Sequence, residues 1–235
     1  MIVSVHLADV GKRAALSLSP RRLGLAKVPG LRYAEITIAA PLSAHLLPRP
    51  NLSRVGLIAT WDDDRALDGF LARHPLAGRF THGWHVRLQP TRIFGAWPQM
   101  AGLLDHEEPM DDGEPAAVLT IGRLRLSQAV RFLRASAAAE GLAVSDPSVL
   151  ASTGLARPPA LVATFSLWQN TAAMRAYARG AAHSEHLEAV QAHAAQPFHH
   201  ESAFIRFRPY ASEGSWDGRD PLAATRSKTP DAVTS

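Results

Sequence analysis

Four histidines toward the carboxyl end, His183, His186, His193 and His199, are the side chains best suited to chemistry in this sequence. Within a helix expected over 182–195, His183, His186, Val190 and His193 stand at offsets of three, seven and ten, which is one helix face. A neutral imidazole is the usual nitrogen donor to iron, and a single ring facing an apolar cavity is enough to hold haem. His183 and His186 could also bind a non-haem metal with a carboxylate, but Glu185 between them points elsewhere on the helix. In an alanine-rich helix the same stripe also serves as surface or as partly satisfied core, and spacing alone does not separate these readings. His199 and His200 enter a strand after Pro197 and Phe198, so at most one of them faces a cavity.

Composition removes other chemistries. The 235 residues include no cysteine, which excludes disulfides, thiolate zinc, iron–sulfur clusters and cysteine-ligated haem. There is no GxGxxG with a following acidic residue, no P-loop, no GxSxG and no HExxH. Asp62, Asp63 and Asp64 suit the first turn of a helix, where carboxylates meet free amides. Asp105, His106, Glu107 and Glu108 sit in a stretch rich in turn residues and read as an acidic linker, not a metal site. The net charge of +4 is dispersed, with no run of five or six basic residues, so nucleic acid is not an expected partner. No stretch approaches the roughly 20 apolar residues of a membrane helix. The first residues begin apolar and become charged later, the reverse of a signal peptide, so the expected location is cytoplasmic.

The elements that must position the histidines come in two similar sets. Trp61 is followed nine residues later by Phe70, as Trp168 is by Tyr177; Ala66 and Leu67 match Ala173 and Met174. Val86, Arg87, Pro90, Gly95 and Trp97 recur at the same spacing as Ile205, Arg206, Pro209, Gly214 and Trp216. Each copy reads strand, helix, strand, strand, helix, strand, the order of a ferredoxin-like unit. The expected divisions are a first repeat over 1–97, a flexible acidic linker over 98–115, a second repeat over 116–216 and a disordered tail over 217–235. The fold expected is α+β: tandem ferredoxin-like repeats packed sheet to sheet as a pseudo-symmetric barrel of the dimeric α/β type. Such a barrel would enclose an apolar space between sheet and helices. Because the duplication satisfies within one chain what single-copy relatives obtain by pairing, a monomer or weak dimer is expected.

These residues resemble a known family. The pattern carried by Ser166, Leu167, Trp168, Tyr177, His183, Glu201, Phe204, Arg206, Phe207, Arg208 and Pro209 is similar to that of the spheroidene monooxygenases of carotenoid biosynthesis. The first copy adds to the likeness through 29–39, 56–72 and 86–90, and the resemblance extends to about Trp216. It implies a haem-containing oxygenase that inserts oxygen into a linear carotenoid or another apolar small molecule. A ferredoxin-type donor would supply the electrons; the dispersed positive excess would also suit peripheral association at the inner membrane surface. It implies His183 as the axial ligand, with His186 as the alternative, and Arg206, Trp168 and Tyr177 beside the cofactor. Two other readings stay open: a haem dehydratase or peroxidase-like enzyme, and a barrel that binds haem or an apolar ligand without catalysis.

Overall fold

The computed structural model describes residues 1–18, 27–41, 53–132, 146–180 and 198–226. The strands are β1 (Ile2–Asp9), β2 (Leu31–Ala40), β3 (Arg54–Trp61), β4 (Trp84–Ala96), β5 (Ala116–Leu124), β6 (Val149–Arg157), β7 (Leu161–Trp168) and β8 (His199–Gly214). They close into one antiparallel barrel in the order β1-β3-β2-β6-β7-β5-β8-β4. Helix α1 (Lys12–Leu18) follows β1, α2 (Asp64–Arg73) follows β3, α3 (Thr171–Gly180) follows β7, and a short α4 (Ala223–Arg226) lies beyond β8. Each half has the same internal order, β4-β1-β3-β2 in the first and β8-β5-β7-β6 in the second. The halves join edge to edge rather than sheet to sheet, through β4 with β8 and β2 with β6. Closure satisfies the backbone groups that each four-stranded half would leave bare along its edges.

The sequence repeat is realised as repeated geometry. Trp61 and Phe70 place their ring centroids 5.1 Å apart at 44°, and Trp168 and Tyr177 place theirs 4.9 Å apart at 43°. Each indole N–H donates to a serine hydroxyl, Trp61 to Ser4 at 2.8 Å and Trp168 to Ser166 at 2.9 Å. Gly95 and Gly214 both have positive φ, 78° and 87°. A Cβ on either would lie 2.3 Å or less from a carbonyl oxygen of the paired strand, so only glycine fits both the dihedral and the space. Pro90 and Pro209 sit in long strands beside register shifts, where a missing N–H costs no ladder bond. That is why β8 runs through Pro209 to Gly214, well beyond the strand over 202–207 that the sequence predicts.

Side chains fill the barrel lumen. Val3, Val5, Val86, Leu88, Leu119, Phe165, Leu167 and Phe207 belong to one contiguous core and are fully buried. Trp97, Met100 and Leu103 join this core after the end of β4, and Trp216 and Leu222 join it after the end of β8. Because β4 and β8 are antiparallel, the two groups close opposite ends.

Both non-repeat stretches differ from expectation. Residues 98–115, read as a flexible linker, bury Met100, Leu103 and Met110 and return a backbone bond from Glu108 to Thr91. Their carboxylates meet arginines of the barrel: Glu108 and Glu114 lie 3.4 and 3.3 Å from Arg208, and Asp112 lies 2.7 Å from Arg175. Residues 217–226, read as part of a disordered tail, are also placed. Asp217 pairs with Arg54 at 2.5 Å, and Asp220 accepts from the Trp84 indole at 3.0 Å and from Ser212 at 2.8 Å. In both stretches a polar composition hides a few apolar anchors and carboxylates with waiting cations.

On its outer face the first half is fully packed. Val55, Leu57, Ala59, Trp61, Leu67, Phe70 and Phe80 form a second core under α1 and α2. His6 is buried within that layer and stacks on His85 with centroids 5.0 Å apart. Ser4 takes the Trp61 N–H and lies 2.9 Å from His6 Nε2, so its own hydroxyl is free to donate to a neutral imidazole. Burial, and after it the charges of His85 and Arg87, hold His6 well below the ordinary histidine range; burial also lowers His85. A group whose folded pKa is depressed binds more protons when unfolded, so its contribution is lost as pH falls below about 6.5. Denaturant midpoints are therefore expected to hold from pH 8 to 7 and to fall between pH 6.5 and 5. The fall should be smaller in His6→Gln; an equal fall in that variant would remove His6 as the cause.

Candidate functional site

The outer face of the second half is built differently at matched positions. In the first half, β1 and β3 pair Ser4 with Ala59, His6 with Leu57 and Ala8 with Val55. In the second half, β5 and β7 pair Val118 with Ser166, Thr120 with Thr164 and Gly122 with Val162. A buried histidine–leucine pair is thus replaced by two threonines. Thr120 is exposed and Thr164 half-buried, whereas His6 and Leu57 are about 1% exposed. Ser152 and Gly154 of β6 extend the small-residue surface beside Ser166 and Thr164. The sequence led to an apolar space between sheet and helices. Among the described residues this half presents a floor of hydroxyls and glycine, which offers hydrogen bonds.

One end of the floor is held by Trp168 and Tyr177. Trp168 is buried with Met110, Ala116, Val118 and Met174 under α3, and Tyr177 is half-buried against it. The structure brings these two predicted residues together. The other end is marked by His199. A Cβ at Gly122 would lie 2.5 Å from the His199 ring, so the glycine is what allows the imidazole to lie across β5. Phe132 stands edge-on to that ring at 5.1 Å, and Arg125 Nε donates to the His199 carbonyl at 3.2 Å. His200 is exposed, as strand alternation requires. The sequence named His199 but gave it no role; the room that Gly122 leaves for its ring on the neighbouring strand was the missing signal.

Arg206 projects from β8 on this same face, opposite Arg92 of β4 and Val118 of β5. Its counterpart Arg87 bonds Asp64 at 2.7 Å and Asp68 at 2.6 Å, both on α2. Burial acts to lower the Arg87 guanidinium, but the two aspartates outweigh it and hold it above its ordinary range. The residues of α3 that match Asp64 and Asp68 are Thr171 and Arg175. Arg206 therefore lacks both counter-ions and has a second arginine in their place. Its Nε is buried without a hydrogen-bond partner among the described residues. Burial, then the charges of Arg175 and Arg92, push its guanidinium below the ordinary range. A half-buried cation whose Nε has no partner among the described residues, with two further arginines beside it, would suit an anion. The nearby carboxylate Glu107 is already taken up at 3.0 Å by Arg92, which also covers the Phe94 ring at 4.4 Å.

His183 and His186, and the helix predicted to carry them, lie outside the described residues. Among the described residues no three metal-binding side chains cluster, and no helix is long and apolar enough to cross a membrane. A separate cleft of about 280 Å³ lies over α2 of the first half, lined by Lys27, Arg65, Phe70, Arg73 and His74. It lies on the first half, apart from Trp168, Tyr177 and Arg206.

Comparison with known proteins gives a consistent result. No family model matches the chain. The spheroidene monooxygenase of Rubrivivax gelatinosus is 32% identical over 196 residues, covering 81% of this chain and 73% of that protein. Those of Cereibacter sphaeroides and Rhodobacter capsulatus are 26% and 29% identical, covering 91% and 75% of this chain. The chain spans 66% of the Cereibacter protein and 75% of the Rhodobacter one, about two thirds to three quarters of its relatives' length. Among solved structures, an anthrone oxidase-like protein matches over 90% of this chain and 92% of its own, at 12% identity and a TM-score of 0.35. A monooxygenase-like protein from Listeria innocua matches over 86% and 92%, at 11% identity and a TM-score of 0.29. Scores this low add nothing to the barrel already described. At 32% identity over most of both sequences, the chain belongs to the spheroidene monooxygenase family.

Proposed function

We propose that this protein is a haem-dependent monooxygenase that inserts oxygen into an apolar substrate of the linear carotenoid type, on the outer face of its second half. The two halves are read as ferredoxin-like units of one duplication, of which the second became the working copy. The observation that carries the location is Arg206, stripped of the aspartates that its first-copy counterpart retains. Haem is a dianion with a flat apolar body, and the residues fit it. Arg206 would take a propionate, the small side chains at 120, 122 and 164 would leave space for the ring, and His183 would hold the iron through a neutral imidazole. When bound, haem supplies the redox-active iron at which dioxygen is reduced. His199 and the hydroxyls of Thr120 and Thr164 face the same space and can orient polar groups there. A net charge of +4 favours an acidic, ferredoxin-type electron donor.

The test is an absorption spectrum of protein expressed with haem supply. A haem band is expected in the wild type and in His186→Ala, and its loss is expected in His183→Ala. A wild type without the band, when its fold is intact by circular dichroism, removes haem from the reading; an unchanged band in His183→Ala moves the ligand elsewhere.

A further inference from the structure

An open aromatic ring stands where its repeat mate is a carboxylate. The ladder between β4 and β8 belongs to both halves, so each pair in it has a mate at the repeat spacing. His85 pairs with Glu213; the matching residues, Phe204 and Phe94, pair with each other. The first pair is polar, with Glu213 open to solvent. The second is two phenyl rings, edge to face with centroids 6.1 Å apart, and Phe94 is 45% exposed. Their inner neighbours differ in the same sense. His85 lies beside His6 of β1, which stacks on it, whereas Phe204 lies beside Thr120 of β5, which has no ring to lay over it. Phe204 is half-buried and packs against the cluster that holds Met110, Trp168 and Met174. Arg92 lies over one face of Phe94 at 4.4 Å and fixes the orientation of that ring.

These rings make an apolar track from solvent at Phe94, through Phe204, to Trp168 and Tyr177 at the candidate site. Neighbouring strands lie about 4.8 Å apart, so a track from β4 across β8 and β5 to β7 spans at least about 14 Å, which suits an extended chain. One open ring falls far short of the roughly 1,200 Å² that a stable pairing of two copies buries. We propose that Phe94 and Phe204 bind the hydrocarbon chain of the substrate and select for it at the entrance to the site. A conjugated chain meets such rings through offset or edge contacts as well as by apolar burial. This deepens the reading of the second half as a site for an apolar substrate, on which it rests, by naming the side chains that recognise the chain.

The experiment loads the full chain with diphenylhexatriene, a neutral linear polyene, from detergent. The protein is separated by gel filtration, and the probe that travels with it is extracted and measured by its emission. Wild type is expected to carry the probe. Phe94→Gln should weaken loading about tenfold, because it removes most of one ring's apolar contact. Phe94→Leu, which keeps an apolar side chain, should stay within about threefold of wild type. Thr120→His gives Phe204 the neighbour that His6 gives His85 and should weaken loading as Phe94→Gln does. Because the probe is measured after extraction, without reference to a haem band, failure of this subsite and failure of the haem reading appear in different measurements. The proposal is overturned if wild type carries no probe, or if Phe94→Gln carries as much as wild type. It is also overturned if wild type elutes as a dimer that Phe94→Gln converts to a monomer, since that assigns the ring to a second copy.

Discussion

Arg175→Asp is expected to weaken haem binding about ten- to a hundredfold while leaving the barrel folded. The substitution gives Arg206 the carboxylate that Asp68 gives Arg87, at the matching position of the matching helix. A guanidinium satisfied from within has less to offer an incoming carboxylate, and a hydrogen bond to a charged group is worth about 1.5–3 kcal/mol. The lost contact between Arg175 and Asp112 is exposed and contributes little. Arg206→Leu should cost a similar factor, and the double variant should cost no more than either alone, because both changes remove one interaction. Haem titration followed at the absorption band reads all three. Wild-type affinity in Arg175→Asp would show that Arg206 does not meet the ligand.

Trp84→Ala is expected to destabilise the protein by about 3–5 kcal/mol, the range for deleting a large buried aromatic side chain. The indole is 1% exposed and lies 5.3 Å from Trp216 and 6.4 Å from Phe165. Its N–H is one of the bonds that hold Asp220, and through Asp220 the segment beyond β8. Removing it leaves a void in the lumen and loosens the closure of that end. For a chain of this size the melting temperature should fall by on the order of 10 °C. Phe94→Ala, at a ring 45% exposed on the barrel's outside, should shift it far less. Similar melting temperatures for the two variants would mean that the lumen is not the source of stability.

Much of the architecture was readable from the chain, because both copies keep bulky residues at the same spacings. Trp61 and Phe70, and again Trp168 and Tyr177, announced strand–helix contacts that the structure contains. Strand alternation also placed His199 and His200 on opposite sides. The mode of closure was not readable, since edge pairing is made by backbone groups that every residue carries. Residues 98–115 and 217–226 misled because their composition is polar, while their order depends on a few buried methionines and leucines and on arginines far away in sequence. The character of the site was missed for a related reason. A missing counter-ion at Arg206 becomes visible only when α2 and α3 are laid over their strands, since Asp64 and Asp68 lie 23 and 19 residues from Arg87. The segment bearing His183 and His186 falls outside the described residues, and those two assignments rest on the family pattern.

The joining of both halves within a single polypeptide has a genetic consequence. In an assembly of two identical subunits, each codon change is expressed twice, so any alteration that opens one face must open its mate as well. Here position 120 holds threonine where position 6 holds histidine, and Arg206 stands without the aspartates that Arg87 has. One half can change its outer face while the other keeps its packing and the ring stays shut.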